Sequence, residues 1–247
     1  MNNAAVTGRL MPISAQLDAG QRVDLIGPNG AGKSTLLAHI AAVLPGVGEI
    51  TFLHRSIQRY SAAELARYRA YLCQQQAVTL QMPVFQYLAL HQPVGAEPQA
   101  LEQTISYLTG RLALLDKLQY RLTQLSGGEW QRVRLAAVLL QVWPSVNRQS
   151  RLLLLDEPSN SLDIAQQIAL NQLLAEFCQA GGAVLLSNHD LNDTLHHADQ
   201  VWLLAEGRLL ATGTSEQVME PNRLGEVYGV HFEYSKRHQR WLIATAL

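Results

Sequence analysis

The sequence predicts an α/β fold in which a mostly parallel sheet is combined with crossover helices and interrupted by a helical insert. A Gly-x4-Gly-Lys-Ser loop, Gly27 to Ser34, lies between an apolar run and a helical segment. Leu152-Leu153-Leu154-Leu155 and Ala183-Val184-Leu185-Leu186 are short continuous apolar runs, the pattern of strands buried on both faces of a parallel sheet. Met82 to Leu122 carries helical spacing with few strand signals, which reads as an insert.

Taken in order, Val23-Asp24-Leu25-Ile26 reads as a short, mostly apolar strand, and Ser34 to Leu44 as a helix stopped by Pro45-Gly46. In the insert, Leu101, Ile105, Leu108, Leu112 and Leu115 follow a helical period, and a further helix runs through Val133 to Leu140. Asp163 to Cys178 is the crossover helix between the two apolar runs, ended by Ala180-Gly181-Gly182. Val201 to Leu204, the turn at Glu206-Gly207, and Leu209 to Ala211 form a hairpin. The tail from Gly229 ends in Trp241-Leu242-Ile243, a late strand. No repeat of fixed period is present, and the glycine loop occurs in one copy, so one nucleotide site per chain is expected.

A 247-residue chain that is 48% hydrophobic suits one large domain or a core with an inserted subdomain. Nineteen Lys and Arg against twenty Asp and Glu leave a net charge of -1, with no basic run to follow a phosphate backbone. Charge therefore lends no support to a nucleic-acid role. Cys73 and Cys178 are too few and too distant for a disulfide framework, and no Cys/His group has zinc spacing, which fits a reducing compartment. Met1 to Val6 lacks the charged lead into an apolar core that a secretory signal needs. The apolar stretch Leu135 to Trp143 is interrupted by Gln141 and ends at Pro144, short of the ~20 residues of a spanning helix.

The loop Gly27-Pro28-Asn29-Gly30-Ala31-Gly32-Lys33-Ser34, followed by Thr35, is a phosphate cradle. Its glycines let backbone amides turn inward as an anion nest, Lys33 brings a point charge to the terminal phosphates, and Ser34 offers a hydroxyl to Mg2+. The helix that follows points its N-terminal amides at the same phosphates. Asp156 and Glu157 end the Leu152–Leu155 run. Adjacent strand residues face opposite sides, so Asp156 is expected in the Mg2+ shell and Glu157 beside the attacking water as general base. A strand ending in a solvated acidic turn is the plain alternative.

Ser126 and Glu129 satisfy the capping-box pattern by themselves. Gly127 and Gly128 are not explained by it, since glycine costs up to about 1 kcal/mol against alanine in a helix. Close approach of backbone to something such as a phosphate would explain them. His189 follows Ser187-Asn188 at the carboxyl end of a strand, where open α/β sheets gather ligands, and a contact to the terminal phosphate is expected. His196-His197 reads as a solvated helix face. One amide of Gln74-Gln75-Gln76 could reach Mg2+ or water, although glutamine runs are common in surface loops.

The cradle, Gln74, Leu125 to Glu129, Leu152 to Glu157, Ser161-Leu162-Asp163 and Ser187-Asn188-His189 occur in one order that resembles the ATP-binding cassette ATPases. The resemblance covers essentially the whole chain. It implies a P-loop NTPase (RecA-like) core with an antiparallel β subdomain and a helical subdomain. The boundaries expected are 1–76 and 145–247 for the core, with 77–144 as the helical subdomain carrying the signature. It also implies roles: Lys33 and Ser34 on phosphates and Mg2+, Gln74 on Mg2+ and water, Asp156 on Mg2+, Glu157 as general base, Asp163 at a subunit contact and His189 as a switch. Ser126, Gly127, Gly128 and Glu129 would cap ATP held by a second copy of the chain.

Leu125 to Val138, Asn160 to Gln167 and His189 to Asn192 are most similar to the ATPase subunits of vitamin B12 importers. Subunits driving iron-siderophore or haem uptake share the general motifs. The resemblance implies a homodimer beneath two membrane-spanning permease subunits. A periplasmic binding protein completes the complex, which places the chain peripherally on the cytoplasmic face of the bacterial inner membrane. A soluble ATPase acting on DNA or ribosomes is the rival from another class, but the paired cassettes, zinc hook, coiled coil or basic arms of such relatives are missing. A kinase or general triphosphatase would leave Ser126-Gly127-Gly128 unexplained. The chain departs from the family pattern in Glu129, where most members have Gln, and in having no aromatic residue before Phe52 to stack on adenine. Either base recognition is weak, or the Arg9 guanidinium takes the aromatic's place.

Overall fold

The computed structural model describes residues 1–74 and 80–244. In chain order the strands and helices begin with β1 (Asn2–Val6), β2 (Leu10–Ile13), β3 (Arg22–Ile26), α1 (Lys33–Ile40), β4 (Val47–Glu49), β5 (Thr51–Phe52) and β6 (Arg55–Ser56). There follow α2 (Ala62–Tyr68), β7 (Arg69–Leu72), α3 (Val84–Ala89), α4 (Pro98–Arg111), α5 (Gly127–Val142), β8 (Leu152–Leu155), α6 (Ile164–Gln179) and β9 (Ala183–Ser187). The last are α7 (Leu191–His197), β10 (Gln200–Ala205), β11 (Arg208–Gly213), α8 (Ser215–Val218), α9 (Pro221–Tyr228), β12 (His231–Ser235) and β13 (Arg240–Ala244). They form two compact units, one comprising Met1–Arg59 and Leu185–Leu247, the other Tyr60–Val184.

The first unit holds β3 at the heart of a sheet ordered β11, β10, β3 and the end of β9. β10 runs parallel to β3, with Val201 opposite Asp24 and Leu203 opposite Ile26, and β11 returns antiparallel to β10 as the hairpin expected from sequence. A separate antiparallel sheet, ordered β2-β1-β4, supplies the β subdomain. Ile26, Val201, Leu203, Val218, Leu224, Phe232 and Trp241 make a buried cluster under the C-terminal elements. The late strand expected at Trp241-Leu242-Ile243 is present as β13, and it pairs with β12 in a two-stranded hairpin. Its Phe232 and Trp241 pack inward, which anchors the hairpin without further strand pairing.

In the second unit β7 and β8 pair in parallel, with Ala70 opposite Leu153 and Leu72 opposite Leu155. β8 is four leucines, all buried, as a strand covered on both faces requires. The insert holds two helices, α3 and α4, ahead of α5. Of the expected stripe, Leu108 is buried on α4 and Leu112 is buried at its C-cap, but Leu115 lies beyond the helix and is exposed. Buried Thr104 and Thr109 replace it on that face, each returning its hydroxyl hydrogen bond to a helix carbonyl, Ala100 and Ile105 respectively. Helix α1 also stops short of Leu44. It ends at Ile40, and Ala42 takes a left-handed φ of 55°, which breaks the helix before Pro45 is reached. No helix among the described residues is long and apolar enough to cross a membrane.

Candidate functional site

The cradle bridges β3 and α1, and its glycines are required by backbone geometry. Gly27, Gly30 and Gly32 have φ of 145°, 81° and 103°, values that favour glycine. A Cβ on Gly27 would lie 2.0 Å from the Leu204 carbonyl oxygen, and one on Gly32 would lie 2.6 Å from Leu10 Cδ2. Gly32 is the N-cap of α1 and gives the helix no side-chain cap, so the first-turn amides are not claimed by a cap. Lys33 is buried, and its Nζ donates to the carbonyls of Gly27 at 2.6 Å and Pro28 at 3.1 Å, folding across the loop. Asn29 and Gly30 are exposed, while Pro28, Ser34 and Thr35 are half-buried. Arg9 is exposed in the β1–β2 turn, and the backbone of that turn runs beside Gly32 and Gly207.

His189 belongs to the same unit and is exposed just beyond β9. Its neighbours in sequence are tightly held. Asn188 Nδ2 donates to Asp24 Oδ2 and Asp193 Oδ2, both at 2.9 Å, and Asn188 Oδ1 accepts from the Asp190 amide at 3.1 Å. Arg22 donates to Asp24 through Nε at 2.8 Å and Nη2 at 3.1 Å, and to Asp193 Oδ2 at 2.9 Å. Thr194 Oγ1 adds a hydrogen bond to Asp24 at 3.0 Å. Burial disfavours the Arg22 charge, but the Asp24 and Asp193 carboxylates outweigh it and raise the guanidinium pKa. Asp24, read from sequence as part of an apolar strand, is the centre of a buried charged network. His196 and His197 lie on an exposed face of α7 as expected, with His197 Nδ1 3.0 Å from Asp193 Oδ1.

The second unit carries the remaining expected residues. The Asp156 amide extends the β7–β8 ladder by one bond, donating to the Leu72 carbonyl at 2.9 Å, and its side chain is buried. Glu157 is not in strand conformation. Its φ of 50° is left-handed, so the strand has ended in a turn there and strand alternation does not govern where the two carboxylates point. Asn160 Nδ2 donates to Glu157 Oε2 at 2.6 Å. Asp163 caps α6, its Oδ1 accepting from the Gln166 amide at 2.9 Å. Burial first, and then the Asp156 carboxylate, raise the Tyr71 pKa and keep that phenol neutral.

At the start of α5 the capping box forms as the sequence requires. Ser126 Oγ accepts from the Glu129 amide at 3.2 Å, and Glu129 Oε2 accepts from the Ser126 amide at 2.8 Å. Glu129 also pairs with Lys117 at 3.1 Å. Together the Ser126 amide and Lys117 depress its pKa to about 2. Gly128 proves to have a local explanation: a Cβ there would lie 2.7 Å from the Ser161 carbonyl oxygen. Gln74 is exposed, and its carbonyl accepts from Arg134 at 3.4 Å. Arg134 donates to Gln131 Oε1, whose Nε2 donates to the Pro158 carbonyl at 3.0 Å. This relay ties Gln74 to the turn after Glu157 through α5, and no sequence signal announced it. Gln75 and Gln76 lie outside the described residues.

The structure thus brings the cradle and His189 into one unit, and Gln74, Ser126–Glu129, Asp156, Glu157 and Asp163 into the other. Residues 10–160 match the ABC transporter family model. Over 244 residues the chain is 55% identical to the vitamin B12 import ATP-binding protein BtuD of Yersinia enterocolitica, covering 98% of this chain and 96% of the relative. The protein of the same name from Escherichia coli is 49% identical over 246 residues, 99% of this chain and 97% of its own. Among solved structures, an ATP-binding subunit of an ABC transporter superposes with a TM-score of 0.78 at 24% identity, covering 93% of both chains. A bacterial Atm1-family ABC exporter with ATP bound gives 0.77 at 22% identity, over 92% of this chain and 41% of that one. Motif order, fold and full-length identity agree, and the chain belongs to the ABC transporter family.

Proposed function

We propose that this chain is the ATP-hydrolysing subunit of a vitamin B12 import complex. The observation that carries the reading is 49–55% identity, over nearly the full length, to relatives named for that import. The glycine geometry of the cradle supports ATP as substrate. Lys33 neutralises phosphate charge while the α1 amides hydrogen-bond the phosphate oxygens. Glu157 takes the proton of the attacking water, His189 contacts the terminal phosphate, and Gln74 orients the water. Ser34, Asp156 and Gln74 are hard oxygen donors that fit Mg2+, and no cluster of His, Cys, Asp or Glu among the described residues forms a metal cage. Once bound, Mg2+ would neutralise charge developing between the phosphates.

In this reading a second copy closes the site, with Ser126 to Glu129 capping the nucleotide and Asp163 at the contact. The pair drives two permease subunits fed by a periplasmic binding protein, from the cytoplasmic face of the inner membrane. A cleft of about 880 Å³ in the second unit supports a docked partner. It is lined by Arg67, Leu90, Val94 and Asn147 among others, with Val94 94% exposed and Leu90 68% exposed.

Glu157→Gln is expected to keep ATP binding and lower turnover by about 10²-fold or more, checked by phosphate release. Reconstitution with its permease and ATP-dependent uptake of cobalamin against ferric siderophore or haem tests the cargo. Siderophore or haem uptake without cobalamin uptake would reassign it, and association with nucleic acid or ribosomes in place of a permease would overturn transport altogether.

A further inference from the structure

We propose that Asn188, held by Asp24, is a positioning residue that fixes the presentation of His189; this rests on the reading of His189 as a contact to the terminal phosphate. Both polar ends of the buried Asn188 side chain are committed. Its amide hydrogens go to Asp24 and Asp193, and its oxygen takes the Asp190 amide, so a hydrogen-bonded turn closes across His189. On the other side, the Asn188 backbone amide donates to the Leu25 carbonyl of β3 at 3.1 Å. The residues before and after His189 are therefore both tied down, and the exposed imidazole projects from a clamped turn.

Residue chemistry at position 188 is narrowly constrained. An aspartate would set a third carboxylate against Asp24 and Asp193, and an apolar residue would leave the Asp190 amide and both carboxylates short of a partner. The clamp stands on Asp24, which is fully buried and balanced by Arg22 and Thr194. Asp24 lies in β3, the strand that runs directly into Gly27. One strand thus supports both the cradle and the turn that carries His189, and it sets the reach of the imidazole relative to the phosphate loop. Small displacements of a reacting or positioning group can cost about 10²-fold in rate, so this arrangement has a kinetic consequence.

The test is steady-state ATP hydrolysis by the full chain, with nucleotide affinity measured separately. Asn188→Ala is expected to lower kcat by about 10²-fold with little change in affinity, and Asn188→Ser, whose hydroxyl can still accept from Asp190, to recover part of it. In a His189→Ala background, adding Asn188→Ala is expected to cost nothing more, because the clamp then has nothing to present. Thr194→Val removes one hydrogen bond to Asp24 but leaves the turn intact, and should lower the urea midpoint with kcat retained. Parental kcat in folded Asn188→Ala overturns the proposal, as does a further loss in the His189→Ala background or an equal kcat loss in Thr194→Val. Impaired His189→Ala beside unimpaired Asn188→Ala removes the proposal alone. Parental turnover in His189→Ala removes the underlying reading and the proposal with it. If Asn188→Ala fails to fold, Asn188→Ser decides by the same comparisons.

Discussion

β3 and β8 each deliver a functional loop from a fully buried strand, but they are held by different forces. β8 is four buried leucines, fixed by its backbone ladder to β7 and by apolar side-chain packing, and it leads into Asp156. β3 carries Arg22 and Asp24 within its five buried residues and is fixed by a charged hydrogen-bond network before it enters the cradle. Packing tolerates graded losses, since each methylene removed costs a share of the contact energy. A buried ion pair does not, because removing one partner strands the other. The strand that supports two functional loops, the cradle and the His189 turn, is the one with the all-or-none anchor.

The sharpest way to break this contrast is Asp24→Leu, which should destabilise the chain by about 3–5 kcal/mol in urea unfolding. Leu154→Ala in β8 should cost about 2–5 kcal/mol. The two separate on repair: adding Arg22→Met to Asp24→Leu should restore much of the loss, since apolar replacement of a whole buried pair is often neutral. If the double variant is no better than the single one, the network is not a unit and the contrast collapses. Gly128→Ala comes next. Its Cβ would meet the Ser161 carbonyl, and overpacking of that kind costs about 1–3 kcal/mol, measured by the shift of the urea midpoint. An unchanged midpoint would return Gly128 to a purely ligand-facing role.

Smaller effects refine the picture at the margins. Glu129 titrates from 4.5 in the unfolded chain to about 2 in the folded one, so its contribution is fully present above the unfolded value and is lost as pH falls through about 2. Glu129→Gln should therefore lower stability at neutral pH, where that contribution is fully present, and flatten the acid limb of the profile between those values, so that the variant and the parent converge toward pH 2 in urea unfolding. Arg9→Ala should alter the preference for ATP over GTP by only about 2–5-fold, the scale of an exposed cation–π contact. Strong adenine selectivity that survives this change would exclude Arg9 as the base contact.

What the sequence made legible was local. The cradle needs glycines at fixed spacing, the capping box needs Ser126 and Glu129 within one turn, and the β10–β11 hairpin announces itself at Glu206-Gly207. The Arg22–Asp24–Asn188 network joins residues 164 or more positions apart through Asn188, and no period or spacing records such a pairing. Asp24 was hidden by its apolar neighbours. Gly128 was hidden in another way: its partner is the backbone of Ser161, which leaves no residue-type signature. The end of α1 was misplaced because Ala42, an excellent helix former, takes a left-handed φ there, so tertiary context overrides its propensity.

The β12–β13 hairpin has a consequence for engineering. Asn192, near the start of α7, donates to the Trp241 carbonyl at 3.3 Å and accepts from the Trp241 amide at 2.7 Å. The helix that begins directly after His189-Asp190 is thus stapled to β13, close to the C-terminus. A domain fused beyond β13 would inherit a mechanical line to the His189 turn without altering any residue of the cradle, whereas trimming the hairpin would slacken that line.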